Sequence, residues 1–157
     1  MNSGKHFYKT TLHWTGNTGR GTKNYTSYHR SYTIKIEGKT NIHGSSDPEF
    51  RGDKSKFNPE ELFLASISSC HMLWYLHLCS ESGITVQDYT DIAEATMIIN
   101  KNGSGKFCEV TLQPMVVIEE EHKKDQAKKL HEQANKFCFI ANSLNFHVAH
   151  RPTIVIK

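Results

Sequence analysis

Along residues 31–38, SYTIKIEG, the apolar Tyr32, Ile34 and Ile36 alternate with Thr33, Lys35 and Glu37, the period of a strand with one buried face and one wet face. Residues 6–14 and the wider run 25–37 are also β-rich, and the glycines of TGNTGRGT between them predict a turn. Residues 38–57, which include HGSSDPEFRGDKSK, are polar and rich in breakers. They read as a loop too long for a plain connector, and such loops often carry function.

At residue 57 the pattern changes. FNPEELFLASISSCHMLWYLHLC offers Asn58 as an N-cap, Pro59 at the first helical position where its missing N–H costs nothing, and Glu61 placed to reach back as in a capping box. Gly83 is the natural stop. The residues between are apolar on nearly every face, so a long central helix buried on all sides is expected, with Leu62, Phe63, Ile67, Trp74 and Leu76 in the core. His71, His77 and serines interrupt the run, whereas a membrane span needs about 20 cleaner residues.

Beyond it, DYTDIAEATMIINKNGSGKFCEVTLQPMVVIEE reads as two strands joined at NGSG. A charged helix follows, with Ala127, Leu130, Ala134 and Phe137 as a narrow inward stripe. CFIANSLN predicts a second, short helix and RPTIVIK a closing strand. The order is a β-rich N-terminal part, a long buried helix, a hairpin, two further helices and a strand: an α+β plan in one domain, residues 1–157.

Composition narrows the function classes. Hydrophobic residues at 37% and charged residues at 22% fit an ordered globular chain. The net charge of +3 is scattered, without a basic block, which gives nucleic-acid binding no support. The first residues lack the apolar core of a secretory signal, and four cysteines in such a chain suggest a reducing, cytoplasmic setting. No two of them form CxxC, which argues against structural zinc. Among the histidines, His71, His77, His131, His147 and His150 are metal candidates, yet His71 and His77 fall on different helix faces and no HExxH occurs. No metal is expected. His71 points about 100° around the helix from Cys70 and is not an obvious base for it.

NPEELFLASISSCH, followed 68 residues after its cysteine by the cysteine of CFIANSLN, resembles the OsmC/Ohr family, the osmotically inducible and organic hydroperoxide resistance proteins. The resemblance covers nearly the whole chain. It implies an OsmC-like swapped homodimer with active sites at the subunit interface. It also implies a thiol-dependent peroxidase that reduces organic hydroperoxides and draws electrons from an external dithiol, without metal, haem or flavin. By position, Cys70 would be the peroxidatic thiol, Cys138 its resolving partner and Glu60 the family's active-site glutamate. Arg20 in TGRGT matches the arginine of the organic hydroperoxide resistance branch, and Arg51 in PEFRGD lies near that of the osmotically inducible branch.

The chemistry suits these types. A thiolate attacks a peroxide oxygen and becomes a sulfenic acid, which a second thiol intercepts before irreversible oxidation. Arg keeps its charge in a dry site, and a glutamate can hold it by a bidentate pair. Independently of the family, Glu60 and Cys70 stand ten residues apart on one expected helix, about 15 Å along its axis. If both serve one site, Glu60 arrives from a second subunit. The rival readings are a small core side chain for Cys70, a non-peroxidatic small-ligand binder, and a cysteine hydrolase or acyl transferase that lacks a convincing His/Asp partner. Cys79 and Cys108 read as packing residues.

Overall fold

The computed structural model describes residues 4–157, and contacts group them into two units that meet in sequence between Leu62 and Phe63. The first holds strands β1 (Thr11–Trp14), β2 (Tyr32–Lys35) and β3 (Ile42–Gly44) in one antiparallel sheet, ordered β1-β2-β3. Trp14 pairs with Tyr32, and Tyr32 in turn with Gly44. Any Cβ at Gly44 would sit 2.2 Å from the Tyr32 ring, so the strand needs glycine there. The strands are shorter than their β-rich composition suggested. The expected loop over 38–57 also contains structure: β3, and a 3-10 turn at Pro48–Phe50 capped by the Asp47 side chain.

Helix α1 (Pro59–Glu81) starts as its sequence requires. The Asn58 side chain accepts from the Glu61 amide at 2.7 Å, and the Glu61 carboxylate accepts from the Asn58 amide at 3.0 Å, a reciprocal capping box. It stops at Gly83 (φ 62°), where Ile84 N–H donates to the Cys79 carbonyl and Gly83 N–H to that of Ser80, the Schellman arrangement. The expectation of burial on all sides is corrected. Ile67, His71, Tyr75 and Cys79, four residues apart, form the one buried stripe, while Leu73 is 63% exposed. By length and composition alone α1 could cross a membrane; its stripe instead packs into two cores.

The stretch read as two strands holds four. Strands β4 (Val86–Asp91) and β7 (Pro114–Ile118) pair antiparallel, as do β5 (Glu94–Ile99) and β6 (Gly105–Leu112) on either side of the NGSG turn. The break is held by Asp91, whose carboxylate accepts from Gln113 N–H and from the Ser68 hydroxyl of α1. Helix α2 (Lys124–Phe137) follows, burying Ala127, Leu130, His131 and Ala134; Phe137 remains half exposed. A 3-10 turn at Ala141–Ser143 replaces the second expected helix. Strands β8 (Val148–His150) and β9 (Thr153–Ile156) then add in parallel, completing the sheets β5-β6-β8 and β4-β7-β9.

One core joins Tyr75 and Cys79 of α1 to Val116 and Ile118 of β7, Ala127, Leu130 and Ala134 of α2, and Ile154. The other joins Ile67 to Val110 and Leu112 of β6 and Val148 of β8. Cys70 and His71 occupy the turn of α1 between these two cores.

Candidate functional site

Cys70, on α1 and half-buried, neighbours Cys138, which caps the C-terminus of α2 and is 1% exposed. Both thiols are free. Burial, and next the neighbouring Cys70 sulfur, push the Cys138 thiol up to about 11, because desolvation disfavours the thiolate. The local chain fixes the Cys138 sulfur. Its backbone turns extended, its amide donates to the Ala134 carbonyl, and its sulfur accepts from Ala141 N–H at 3.4 Å. Asn142 amide donates to the Cys138 carbonyl and its side chain to that of Lys136, so CFIANSLN acts as a clasp on the helix end. Two sequence candidates separated by 68 residues are thus brought near each other.

Aromatic rings rim the pair. Trp74, one turn after Cys70, stacks on Phe137 at 5.1 Å and meets Phe139 edge-on at 5.6 Å, so the neighbours of Cys138 on both sides touch it. Phe139 is 66% exposed. This surface can receive an apolar group beside a half-buried thiol.

Behind the sulfurs lies a feature the spacing did not announce. His71 Nε2 and His131 Nδ1 are hydrogen-bonded at 2.9 Å with both rings buried. Tyr75 stacks on His131 at 3.8 Å, and His150 of β8 tilts against His71 at 5.7 Å. Burial, reinforced by His150, lowers His71 to about 4; burial and both neighbouring imidazoles lower His131 to about 3. Both rings are therefore neutral near pH 7. His71 Nδ1, His131 Nε2 and His150 Nδ1 have no partner among the described residues. Burial also raises the hydroxyls of Tyr75 and Tyr89; that of Tyr75 lies beside Cys79, outside hydrogen-bonding geometry.

The other three sequence candidates belong to the first unit. Arg20 is exposed at the tip of the β1–β2 connection, between Gly19 and Gly21, both at positive φ, whose amides donate to the Asn17 side chain. Arg51 has φ 65°, a left-handed conformation shared by no other non-glycine among the described residues. It borders an open cleft of about 330 Å³ together with Arg30, Asp53 and Lys56. Lys56 is paired with Asp53 at 3.2 Å. Arg30, which the sequence reading passed over, lies between the Tyr25 and Tyr28 rings at 4.2 and 4.3 Å and donates to both their carbonyls. Glu60 is half-buried in the first turn of α1, and with Glu61 it adds to the burial that raises the Tyr32 hydroxyl. Helix α1, Pro59–Glu81, carries both Glu60 and Cys70.

A family model described as OsmC-like protein matches residues 52–152. An OsmC-like protein of Vibrio cholerae, of unknown function, shares 28% identity over 95% of this chain and 100% of its own, with a TM-score of 0.85. An organic hydroperoxide resistance protein from Legionella pneumophila is 18% identical, with a TM-score of 0.67 and coverage of 96% and 99%. The organic hydroperoxide resistance protein OhrB of Bacillus subtilis is 20% identical, with a TM-score of 0.64 and coverage of 94% and 98%. Among curated proteins none matches the chain.

Proposed function

The chain belongs to the OsmC-like protein family, and from that premise we propose that it is a thiol-dependent peroxidase that reduces organic hydroperoxides. The observation that carries the proposal is the nearness of Cys70 and Cys138, one more accessible and one buried. The names of the Legionella and Bacillus structures support the substrate class.

The Cys70 thiolate attacks the distal oxygen of ROOH. An S–O bond forms, the O–O bond breaks, and the alkoxide takes a proton and leaves as ROH. Cys138 then attacks the sulfenic sulfur: S–S forms, S–O breaks, and the departing hydroxide takes the Cys138 proton and leaves as water. An external dithiol reduces the disulfide by two exchange steps and is itself oxidised to a disulfide. Burial suits Cys138 to the second role, since a protonated, shielded thiol competes poorly for peroxide. Trp74, Phe137 and Phe139 receive the organic group. Arg20 or Arg51 supplies the charge beside the thiolate and Glu60 holds that arginine. Given the axial gap on α1, these groups come from a second copy, so the working species is a homodimer with its sites at the subunit interface. Free thiols in this cycle suit a reducing, cytoplasmic compartment.

Mass spectrometry after one equivalent of cumene hydroperoxide tests the cycle. A Cys70–Cys138 disulfide is expected, Cys70→Ser abolishes peroxide loss, and Cys138→Ser leaves Cys70 as a sulfenic acid that a second equivalent carries to sulfinic acid. Undiminished peroxide consumption by Cys70→Ser overturns the reading.

A further inference from the structure

We propose that the buried His71–His131 hydrogen bond is a positioning device that sets how closely Cys70 and Cys138 approach. The inference rests on the reading of those two cysteines as a redox pair. The sulfurs sit on separate elements, one within α1 and one at the end of α2, so the packing of the two helices decides their separation. Among the described residues, the 2.9 Å bond between His71 and His131 is the only side-chain hydrogen bond from α1 to α2. It lies on the same two elements as the sulfurs. His71 follows Cys70 directly, and His131 precedes Cys138 by seven residues, two helical turns and hence the same face.

A hydrogen bond does here what the aromatic contacts cannot. Stacked rings such as Trp74 and Phe137 tolerate sliding, whereas an N–H···N contact weakens steeply outside a narrow range of length and angle. A disulfide is comparably demanding, since its Cα atoms must lie about 4.4–6.8 Å apart with the Cβ vectors facing. Each imidazole also packs on a further ring, His131 on Tyr75 at 3.8 Å and His71 on His150 at 5.7 Å, but only the hydrogen bond sets both a length and an angle. Stability alone gives no reason for imidazoles at these positions. Each keeps a buried nitrogen without a partner, and two apolar rings would fill the space without that cost.

The test measures the exchange equilibrium of the full-length protein with glutathione, in which protein dithiol plus oxidised glutathione gives the Cys70–Cys138 disulfide plus two reduced glutathiones. Its equilibrium constant is the effective concentration of one thiol at the other. It needs no peroxide, so failure of the peroxidase reading and failure of this inference are separate results. His131→Asn keeps an amide atom where Nδ1 stands, while His131→Gln carries the amide one bond too far. Asn is expected to hold the effective concentration within about threefold of the original, and Gln to lower it about tenfold, the scale of one buried hydrogen bond left half-made. His71→Phe should fall with Gln. Val110→Ala, a change in the core that holds Ile67 rather than Tyr75, should lower the melting temperature and leave the equilibrium unmoved. Equal values for the Asn and Gln variants, or an effective concentration that follows melting temperature across the whole set, overturn the proposal.

Discussion

At the scale of single residues, the sharpest contrast is between two neighbouring thiols. Cys70 is half open to solvent, whereas Cys138 is buried and pushed up to about 11. At pH 8 the Cys138 thiolate is then about a thousandth of the population, against roughly a quarter for an ordinary thiol near 8.5. Alkylation by iodoacetamide in the reduced protein should therefore reach Cys138 at least about a hundredfold more slowly than a model peptide thiol. The pH profile carries the sign: Cys138 labelling keeps rising through pH 10, where an ordinary thiol has levelled off. Quantitative mass spectrometry of the Cys138 peptide checks both points, and a plateau below pH 9 contradicts the burial argument.

At the scale of elements, the entry to α1 shows which features a sequence makes legible. Asn58, Pro59 and Glu61 lie within four residues, and both capping-box bonds form at 2.7 and 3.0 Å. Asn58→Ala removes the acceptor for the Glu61 amide and should cost about 1 kcal/mol, a drop of roughly 2–4 °C in melting temperature. Hydrogen exchange should speed up first at the Glu61 amide; an unchanged rate there tells against the cap. The Gly83 stop and the NGSG turn were legible for the same reason, being local. The break of the long hairpin was not, because it depends on Asp91 accepting from Ser68 and Gln113, each more than twenty residues away. Strand β3 hid in a polar loop because its pairing with β2 supplies what its composition lacks. An all-apolar helix likewise cannot declare which stripe it buries; the sheets and α2 chose Ile67, His71, Tyr75 and Cys79. The sulfurs were reachable through family motifs, but the His71–His131 bond joins residues 60 apart with no local spacing to reveal it.

At the scale of the whole molecule, that same histidine stack ties stability to pH. The groups facing it are Tyr75 on α1 and His150 on β8, with Glu132 and His147 acting on His150 in opposite directions. In the unfolded chain a histidine titrates near 6.5; in the fold His71 is lowered to about 4 and His131 to about 3. A lowered value means the fold favours the neutral ring. The contribution is complete above pH 6.5 and drains away as pH falls toward 4, because the unfolded state takes up protons that the native state refuses. For His71, with a ring that is 1% exposed, the loss reaches about 3 kcal/mol by pH 4, or roughly 6–12 °C of melting temperature for a chain of this size. His131 adds to it, though less than independently, since protonating one ring of a hydrogen-bonded pair changes the other. Melting curves from pH 7.5 to 4.5 should fall steeply below 6.5, and the double variant His71→Phe, His131→Phe should show a shallower slope over the same interval. Parallel curves for the two proteins would place the acid sensitivity in the carboxylates instead, and the buried imidazoles would then be spectators of it.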